Sequence, residues 1–321
     1  MADEKISRLV EIAKMYYQLD YSQQEIAKRL GISRPTVSRL LMQAVEEGIV
    51  HIKIYNPAED VEQVAMQIQE KFQLKNCIVV PIPEYEDQLI KEKLGEVAAD
   101  YLYEIVQTGD TIGITWGTTL YHLVKKIQPK NVKDVTIVQL NGGVSYSESN
   151  TYSSEIINGL ANAFHTTPHF LPVPAVVDHI VVKQAIIADR QVKKVLELGK
   201  QANIAMYTVG EPGEQSTLMH AGYFTESDID VLKTNNTVGD ICSRFIDVHG
   251  KISNDTLNDR TIGIELTDLA DKEYGILVAG GSTKVEGIYG ALCGRHANVL
   301  ITDQYTAKAL LDMGGDLNIN G

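Results

Sequence analysis

The sequence predicts an α/β protein of two parts, a small N-terminal helix-turn-helix unit followed by a larger, mostly parallel α/β domain. Three observations predict it. Within the first fifty residues, three stretches carry apolar residues at helical spacing, with a tight turn at Gly31. From Cys77 onward, short apolar runs alternate with helical stretches, as strands do when helices cover both faces of a sheet. Glycines follow several of these runs, where a strand turns into a helix. A chain of 321 residues has room for about two such domains.

Taken in order, Ile6 to Leu19 is the first helix, with Ile6, Leu9, Val10, Ala13, Tyr16 and Tyr17 at helical spacing. Ser22 and Glu25 have the spacing of a capping box, so a second helix starts there and runs to about Leu30. Gly31-Ile32-Ser33 forms the turn, and a third helix runs to about Glu47, where Gly48 stands as the terminating glycine. Val50 to Tyr55 alternates as a short strand or wing, and Pro57 closes the unit. Glu59 to Phe72 is an amphipathic helix that either packs on its own domain or pairs subunits; both readings stay open. The expected division is therefore residues 1–56, a linker helix over 57–75, and a third part over 76–321.

In that third part the strand-like runs are Ile78 to Ile82, Thr111 to Thr115, Val135 to Leu140, Ile204 to Val209, Ile262 to Leu266, Ile276 to Ala279 and Val299 to Ile301. The helical stretches between them include Leu89 to Val106, Tyr152 to Phe164, Lys183 to Leu198, Lys284 to Leu292 and Thr306 to Met313. No apolar stretch approaches the roughly 20 residues a spanning helix needs, so no membrane contact is expected. The N-terminus lacks the features of a secretory signal, which predicts a cytoplasmic protein. Cys77, Cys242 and Cys293 are far apart and odd in number, so neither a disulfide framework nor a zinc site is suggested. His165, His169 and His179 lack metal-ligand spacing, so neither metal nor cofactor is expected.

The net charge of −13 is unevenly spread. Residues 1–55 carry eight basic and seven acidic side chains, and no acid lies between Lys28 and Arg39. A surface that meets phosphates needs this local positive charge, whatever the balance elsewhere. Ile26, Ala27, Leu30, Gly31, Ile32, Val37 and Leu40 supply the small, turning and locking residues that two closely crossing helices require. The third helix then offers Arg34, Thr36, Ser38, Arg39 and Gln43 as a reading face, since arginine pairs with guanine and glutamine with adenine. Ser33, at a helix start, is placed to touch a backbone phosphate, and Ser22 and Gln23 are further DNA-binding candidates. Operator DNA is the expected partner, and paired units on two half-sites imply a dimer or larger homo-oligomer.

Three glycine-containing loops follow strands in the larger part: Gly117 with Thr118 and Thr119, Asn141 with Gly142 and Gly143, and Gly281 with Ser282 and Lys284. Hydroxyls and amides at a helix N-terminus, joined by a lysine, form a cradle for an anion. All three loops would lie at the carboxyl edge of a parallel sheet, where ligands bind. Neither a GxGxxG nor a GxxxxGKS pattern is present, so a dinucleotide or P-loop site is not predicted. Asp240 and Asp247 are candidates for sugar hydroxyls, and Arg244 for phosphate or a neighbouring acid.

The segments Tyr21-Ser22-Gln23-Gln24-Glu25-Ile26-Ala27, Ile32-Ser33-Arg34-Pro35-Thr36-Val37-Ser38-Arg39-Leu40-Leu41, Trp116-Gly117-Thr118-Thr119, Asn150-Thr151-Tyr152-Ser153, Gly239-Asp240-Ile241-Cys242-Ser243-Arg244-Phe245 and Ala279-Gly280-Gly281-Ser282 jointly resemble the SorC/DeoR family of sugar-responsive repressors. The resemblance spans nearly the whole chain. It implies an effector domain similar to phosphosugar isomerases, with Thr151 among its binding residues, and a sugar-phosphate inducer, deoxyribose 5-phosphate first. It also implies a tetramer built as a dimer of dimers, and effector binding that weakens operator binding. In one member of the family, a lysine just before the double glycine is associated with a covalent imine to the open-chain sugar. Asn141 stands at that position here, and an amide cannot form an imine, so non-covalent binding is expected. No catalytic residue is expected. The alternative is a sugar-phosphate isomerase-like enzyme fused to a DNA-binding module, for which Asp240 or Asp247 would be the base.

Overall fold

The computed structural model describes residues 2–19, 21–50, 61–144, 151–213 and 217–313. The expected wing over 51–55, Pro57, the start of the 57–75 linker and Asn150 lie outside the described residues. The chain divides into two compact units, Met1–Glu59 and Asp60–Gly321.

The first unit holds helices α1 (Ala2–Tyr17), α2 (Gln23–Leu30) and α3 (Arg34–Glu46). Ser22 opens α2 with the reciprocal pair read from its spacing. Its hydroxyl accepts from the Glu25 amide, and the Glu25 carboxylate accepts from the Ser22 amide at 2.9 Å. Gly31 closes the helix at φ 65°, a left-handed conformation in which a glycine carries no Cβ penalty. Ser33 caps α3 by accepting from the Thr36 amide. Ile12, Ile26, Val37 and Leu41 are buried in one cluster that fixes the crossing of the three helices.

The second unit begins with α4 (Val61–Phe72), then β1 (Asn76–Val80), α5 (Asp87–Ile105), β2 (Thr111–Ile114), α6 (Thr118–Lys126), β3 (Thr136–Gln139), α7 (Ser153–Ala163) and β4 (Pro168–His169). It continues through α8 (Ile180–Ala188), α9 (Arg190–Gln201), β5 (Ile204–Tyr207), β6 (Val209–Gly210), α10 (Thr217–His220), α11 (Glu226–Thr234), β7 (Gly239–Ile241) and β8 (Arg244–Ile246). It ends with α12 (Asp255–Asn258), α13 (Thr267–Ala270), β9 (Tyr274–Val278), α14 (Val285–Cys293), β10 (Val299–Asp303) and α15 (Gln304–Asp312). Seven strands form one sheet in the order β1-β10-β9-β5-β2-β3-β4, and every pair in it is parallel. Two apolar clusters, one rich in α5, α6 and α7 and the other in α4, α14 and α15, include inward-facing strand residues of the sheet.

Three expectations are corrected, and one pair of strands is added. Ile262 to Leu266 is not a strand of the sheet: Thr261 and Gly263 make isolated bridges to Val176 and Asn141, which splits its backbone pairing between two segments. Lys183 to Leu198 is not one helix, because Asp189 ends α8 at ψ 135° and caps α9 through the Gln191 and Val192 amides. The run Ile204 to Val209 divides between β5 of the large sheet and β6 of a separate three-stranded sheet. The polar stretch from Gly239 contains β7 and β8 of that same small sheet, joined at Cys242 and Ser243. Both turn residues have positive φ, 54° and 66°, as a two-residue hairpin demands.

Helix α4 packs on its own unit. Ile68 is fully buried there, and Lys71 Nζ donates to the carbonyls of Leu310, Leu311 and Met313 at the end of α15. Helices α5 and α6 cross so closely at Gly95 that a Cβ would lie 2.6 Å from His122 Cβ and 2.8 Å from the Leu123 amide. Alanine gains up to about 1 kcal/mol over glycine in a helix, but here it meets backbone that cannot swing aside. Gly95→Ala should therefore lower stability, by about 1–3 kcal/mol, read from the urea midpoint. An unchanged midpoint would mean the two helices can part without cost.

Candidate functional site

Parallel strands all present their carboxyl ends on one edge. Here the chain adds β3 and β4 outward from β2, then returns to place β5 on the other side of β2 and builds β9 and β10 away from it. The two halves of the sheet thus diverge between β2 and β5, the position at which open α/β sheets leave a crevice for ligands. A cavity of about 680 Å³, counted with its opening to solvent, lies there.

The residues leaving four strands meet around this cavity. Thr115, Trp116, Gly117, Thr118 and Thr119 follow β2, Asn141 follows β3, Thr208 to Glu211 follow β5, and Lys284 comes in after β9. The hairpin of β7 and β8 adds Asp240, Cys242 and Ser243, α5 adds Lys91, and α10 adds Thr217 and Leu218. Gly117 is the N-cap of α6 at φ 141°, and no side chain caps the helix. The uncapped first turn gives the cavity wall free amide donors and the positive end of a helix dipole. Gly117 is close to the opposite wall: a Cβ would sit 3.3 Å from Thr208 Cγ2.

The charges are mixed and partly desolvated. Lys91 pairs with Asp87 at 2.5 Å. Lys284 makes no ion pair among the described residues, and burial together with the nearby Lys91 charge lowers its ammonium pKa. Burial pushes the Asp240 carboxyl up to about 7, although the Ser243 amide and Lys284 pull the other way. On the floor, Asn141 Nδ2 donates to Ser243 Oγ at 2.8 Å, while the buried Asn141 Oδ1 has no hydrogen-bond partner. Such a wall can hold an anion at the helix N-terminus and lysines, and offer polar groups to hydroxyls further in.

Gly117, Thr118, Thr119, Asn141, Asp240 and Lys284 are thus brought together. The other expected effector residues do not line the cavity, and all but Ser282 have a structural occupation. Gly142 and Gly143 are pressed against neighbouring chain, a Cβ lying 2.2 Å from Pro174 O on the first and 2.6 Å from Ser153 Oγ on the second. Thr151 donates to Gly143 O at 3.0 Å. Arg244 is fully buried; it pairs with Glu265 at 2.7 Å and donates to Ile264 O and Asn258. Asp247 accepts from the His249 and Lys251 amides, closing its own turn. The Gly281 amide donates to Asp303 and Thr306, and Ser282 lies beside Tyr85 and Tyr305 in a separate depression. Sequence reading missed Lys91, Thr208 to Glu211, Thr217, Leu218, Cys242 and Ser243. A lysine in the second turn of an amphipathic helix carries no local signal, and Thr208 was hidden inside one apolar run.

On the first unit, α3 buries Val37, Leu41 and Ala44, which turns Arg39 outward together with Met42. Arg34 and Arg39 are exposed and make no ion pair among the described residues. The Ser22 and Ser33 hydroxyls serve as caps, Thr36 Oγ1 bonds Ser33, and Gln43 donates to Glu47 at 2.6 Å. Gln23 and Ser38 border a groove that α3 shares with Tyr16 and Tyr17 of α1. Among the described residues, no group of three or more His, Cys, Asp or Glu could hold a metal ion, and no helix is long and apolar enough to cross a membrane.

A family of sugar-binding domains matches residues 56–312, and the Crp-like helix-turn-helix domain matches residues 6–59. The deoxyribonucleoside regulator of Bacillus subtilis is 49% identical, over 97% of this chain and 99% of that protein. The sorbitol operon regulator of Klebsiella pneumoniae is 32% identical, over 96% of this chain and 98% of its own. The crystal structure of that full-length regulator, SorC, matches with a TM-score of 0.78 at 30% identity, covering 95% of this chain and 98% of that one.

The Asp240 carboxyl makes a pH prediction. Its folded-state pKa is raised from 3.8 to about 7, so the folded protein binds the proton more tightly than the unfolded chain. Ionising it therefore costs stability as pH rises from about 4 to about 7. Asp240→Asn removes that cost and can keep the contact with the Ser243 amide. The variant should match the wild type in melting temperature near pH 4 and exceed it above pH 7. A difference independent of pH would place the group in solvent-like surroundings.

Proposed function

The chain belongs to the SorC/DeoR family of sugar-binding transcriptional regulators, and from that premise we propose that it represses a sugar or deoxyribonucleoside catabolic operon and is released from its operator by a phosphorylated sugar. Deoxyribose 5-phosphate, held without a covalent bond, is the first candidate. The observation that carries the reading is the cavity between β2 and β5, where an uncapped helix N-terminus faces hydroxyls and Lys284 while a buried amide with an unpartnered oxygen forms the floor. The phosphate belongs at Gly117, Thr118 and Thr119, with Lys284 supplying charge. Asp240 and Asn141 take the sugar hydroxyls. The likeness to a deoxyribonucleoside regulator supports the choice of sugar, and Asn141 in the floor supports reversible binding, because an amide is no nucleophile toward an aldehyde.

On the DNA side, Arg34, Thr36, Ser38, Arg39 and Gln43 face the bases, and Ser22, Gln23 and Ser33 face phosphates. Two copies read two half-sites, and a dimer of dimers is the proposed assembly. Effector binding changes operator affinity only by preferring one of two conformations. Closure of the Gly117 wall onto a phosphate is the local event proposed here. Helix α4, clamped to α15 through Lys71, would move with the sensing unit as one body.

An isomerase-like enzyme remains the second reading, because Asp240 titrates near neutrality inside the cavity, as a general base should. Asp247 is withdrawn from that role by its own turn. Turnover of a sugar phosphate, lost in Asp240→Asn, would establish this reading.

Deoxyribose 5-phosphate should raise the melting temperature in a concentration-dependent way, and deoxyribose should not. Gly117→Val should abolish that response while leaving operator binding intact. A normal response would place the ligand elsewhere, and a sugar trapped on the protein by borohydride would overturn non-covalent binding. Arg39→Ala should weaken operator binding by about 1–3 kcal/mol; unchanged specific affinity would remove Arg39 from the reading face.

A further inference from the structure

Helix α8, with the sequence IVVKQAIIA, carries one charge in nine residues, and none of its residues is buried. A helix this apolar normally owes its composition to a covered surface. Here Ile180, Val181 and Val182 are 42%, 69% and 43% exposed, and Gln184, Ala185 and Ala188 are exposed beside them. Only Ile186 and Ile187 lean inward, onto a small cluster with Leu171, Val177 and Ile262. The one charge also turns inward, since Lys183 Nζ donates to Asn258 O at 3.4 Å. The outward strip is therefore uncharged, on a chain whose net charge is −13. Asp178 before the helix and Arg190 after it are both exposed, and neither forms an ion pair among the described residues. A groove bordered by Pro174, Val177 and Tyr223, with Asp178 and His179 on its rim, continues the strip at Val182.

We propose that α8 is a contact between two copies of this chain, packed antiparallel about a two-fold axis. The inference rests on the reading that two copies act together on DNA, and it names the surface that joins them. Copies of an acidic chain repel one another over most of their surface. They approach without that cost where the surface is uncharged. A two-fold contact brings a patch against itself, so the patch must be self-complementary; an uncharged apolar helix meets that condition. Antiparallel alignment also sets Asp178 of one copy beside Arg190 of the other, twice over, while Asp189 is engaged by the Gln191 and Val192 amides at the start of α9. Nine helical residues span only about 14 Å, too little for a standard interface. The groove, at the N-terminal end of the helix, supplies the remainder by receiving the C-terminal end of the facing helix, at Ala185 and Ala188.

The full-length protein tests this by sedimentation, with molar mass measured across a concentration series. The wild type should be an oligomer. Val181→Lys should reduce its mass to half or less at the same concentration, with far-UV circular dichroism unchanged. Asp178→Arg and Arg190→Asp should each shift dissociation to a higher concentration by about tenfold, and the two together should restore it. A wild type that is monomeric throughout would overturn both the paired reading and this surface. An oligomer indifferent to Val181→Lys would overturn the surface alone, and a double variant no better than the singles would overturn the antiparallel arrangement.

Discussion

The sheet grows in two directions from the junction of β2 and β5, and the arrangement of the site depends on that divergence. Every strand of the large sheet points the same way, so the polar exits of β2, β3, β5 and β9 are delivered to one edge. The segments that follow β2 and β5 lead into different apolar clusters, and the cavity lies where they part. The open end of α6 faces this space, and Lys284, Lys91, Asp240 and Glu211 supply charges of both signs around it. The proposed site for a small anion bearing hydroxyls rests on this topology combined with those side chains.

The floor of the cavity is held by a frame of fully used polar groups. Arg244 is buried completely, a costly position for a charge unless every donor is occupied. It meets that requirement with Glu265, Asn258 and the carbonyls of Gly263 and Ile264. This anchors β8 and with it the Cys242–Ser243 turn, two non-glycine residues held at positive φ. Backbone strain of this kind persists where surrounding contacts over-determine it. The turn in turn supports Asn141 through Ser243 Oγ and Asp240 through the Ser243 amide. Two side chains of the cavity thus take their positions from an arginine that does not line it.

Much of this was legible in the sequence where the determinants are local. The capping of α2 by Ser22, the turn at Gly31 and the apolar runs of β2, β3, β9 and β10 each depend on a few neighbouring residues. So did the strand-to-helix turn at Gly117. What escaped depends on distant parts of the chain. Arg244 has the chemistry of an anion binder, and only the fold turns it inward toward Glu265. Gly142 and Gly143 are small because Pro174 and Ser153 press on them, which no local pattern reveals. The hairpin of β7 and β8 was missed because Cys242 and Ser243 stand where an Asn-Gly pair would have announced the turn. Lys91 reaches the cavity from the second turn of a helix whose spacing says only that one face is wet.

The central claim is that filling this cavity releases DNA. The most direct measurement selects an operator duplex from a random pool, labels it, and follows fluorescence anisotropy of the complex while deoxyribose 5-phosphate is added. The account predicts that the complex dissociates with the phosphate ester and persists with deoxyribose. An ester that binds the protein to saturation and leaves DNA affinity unchanged would contradict it.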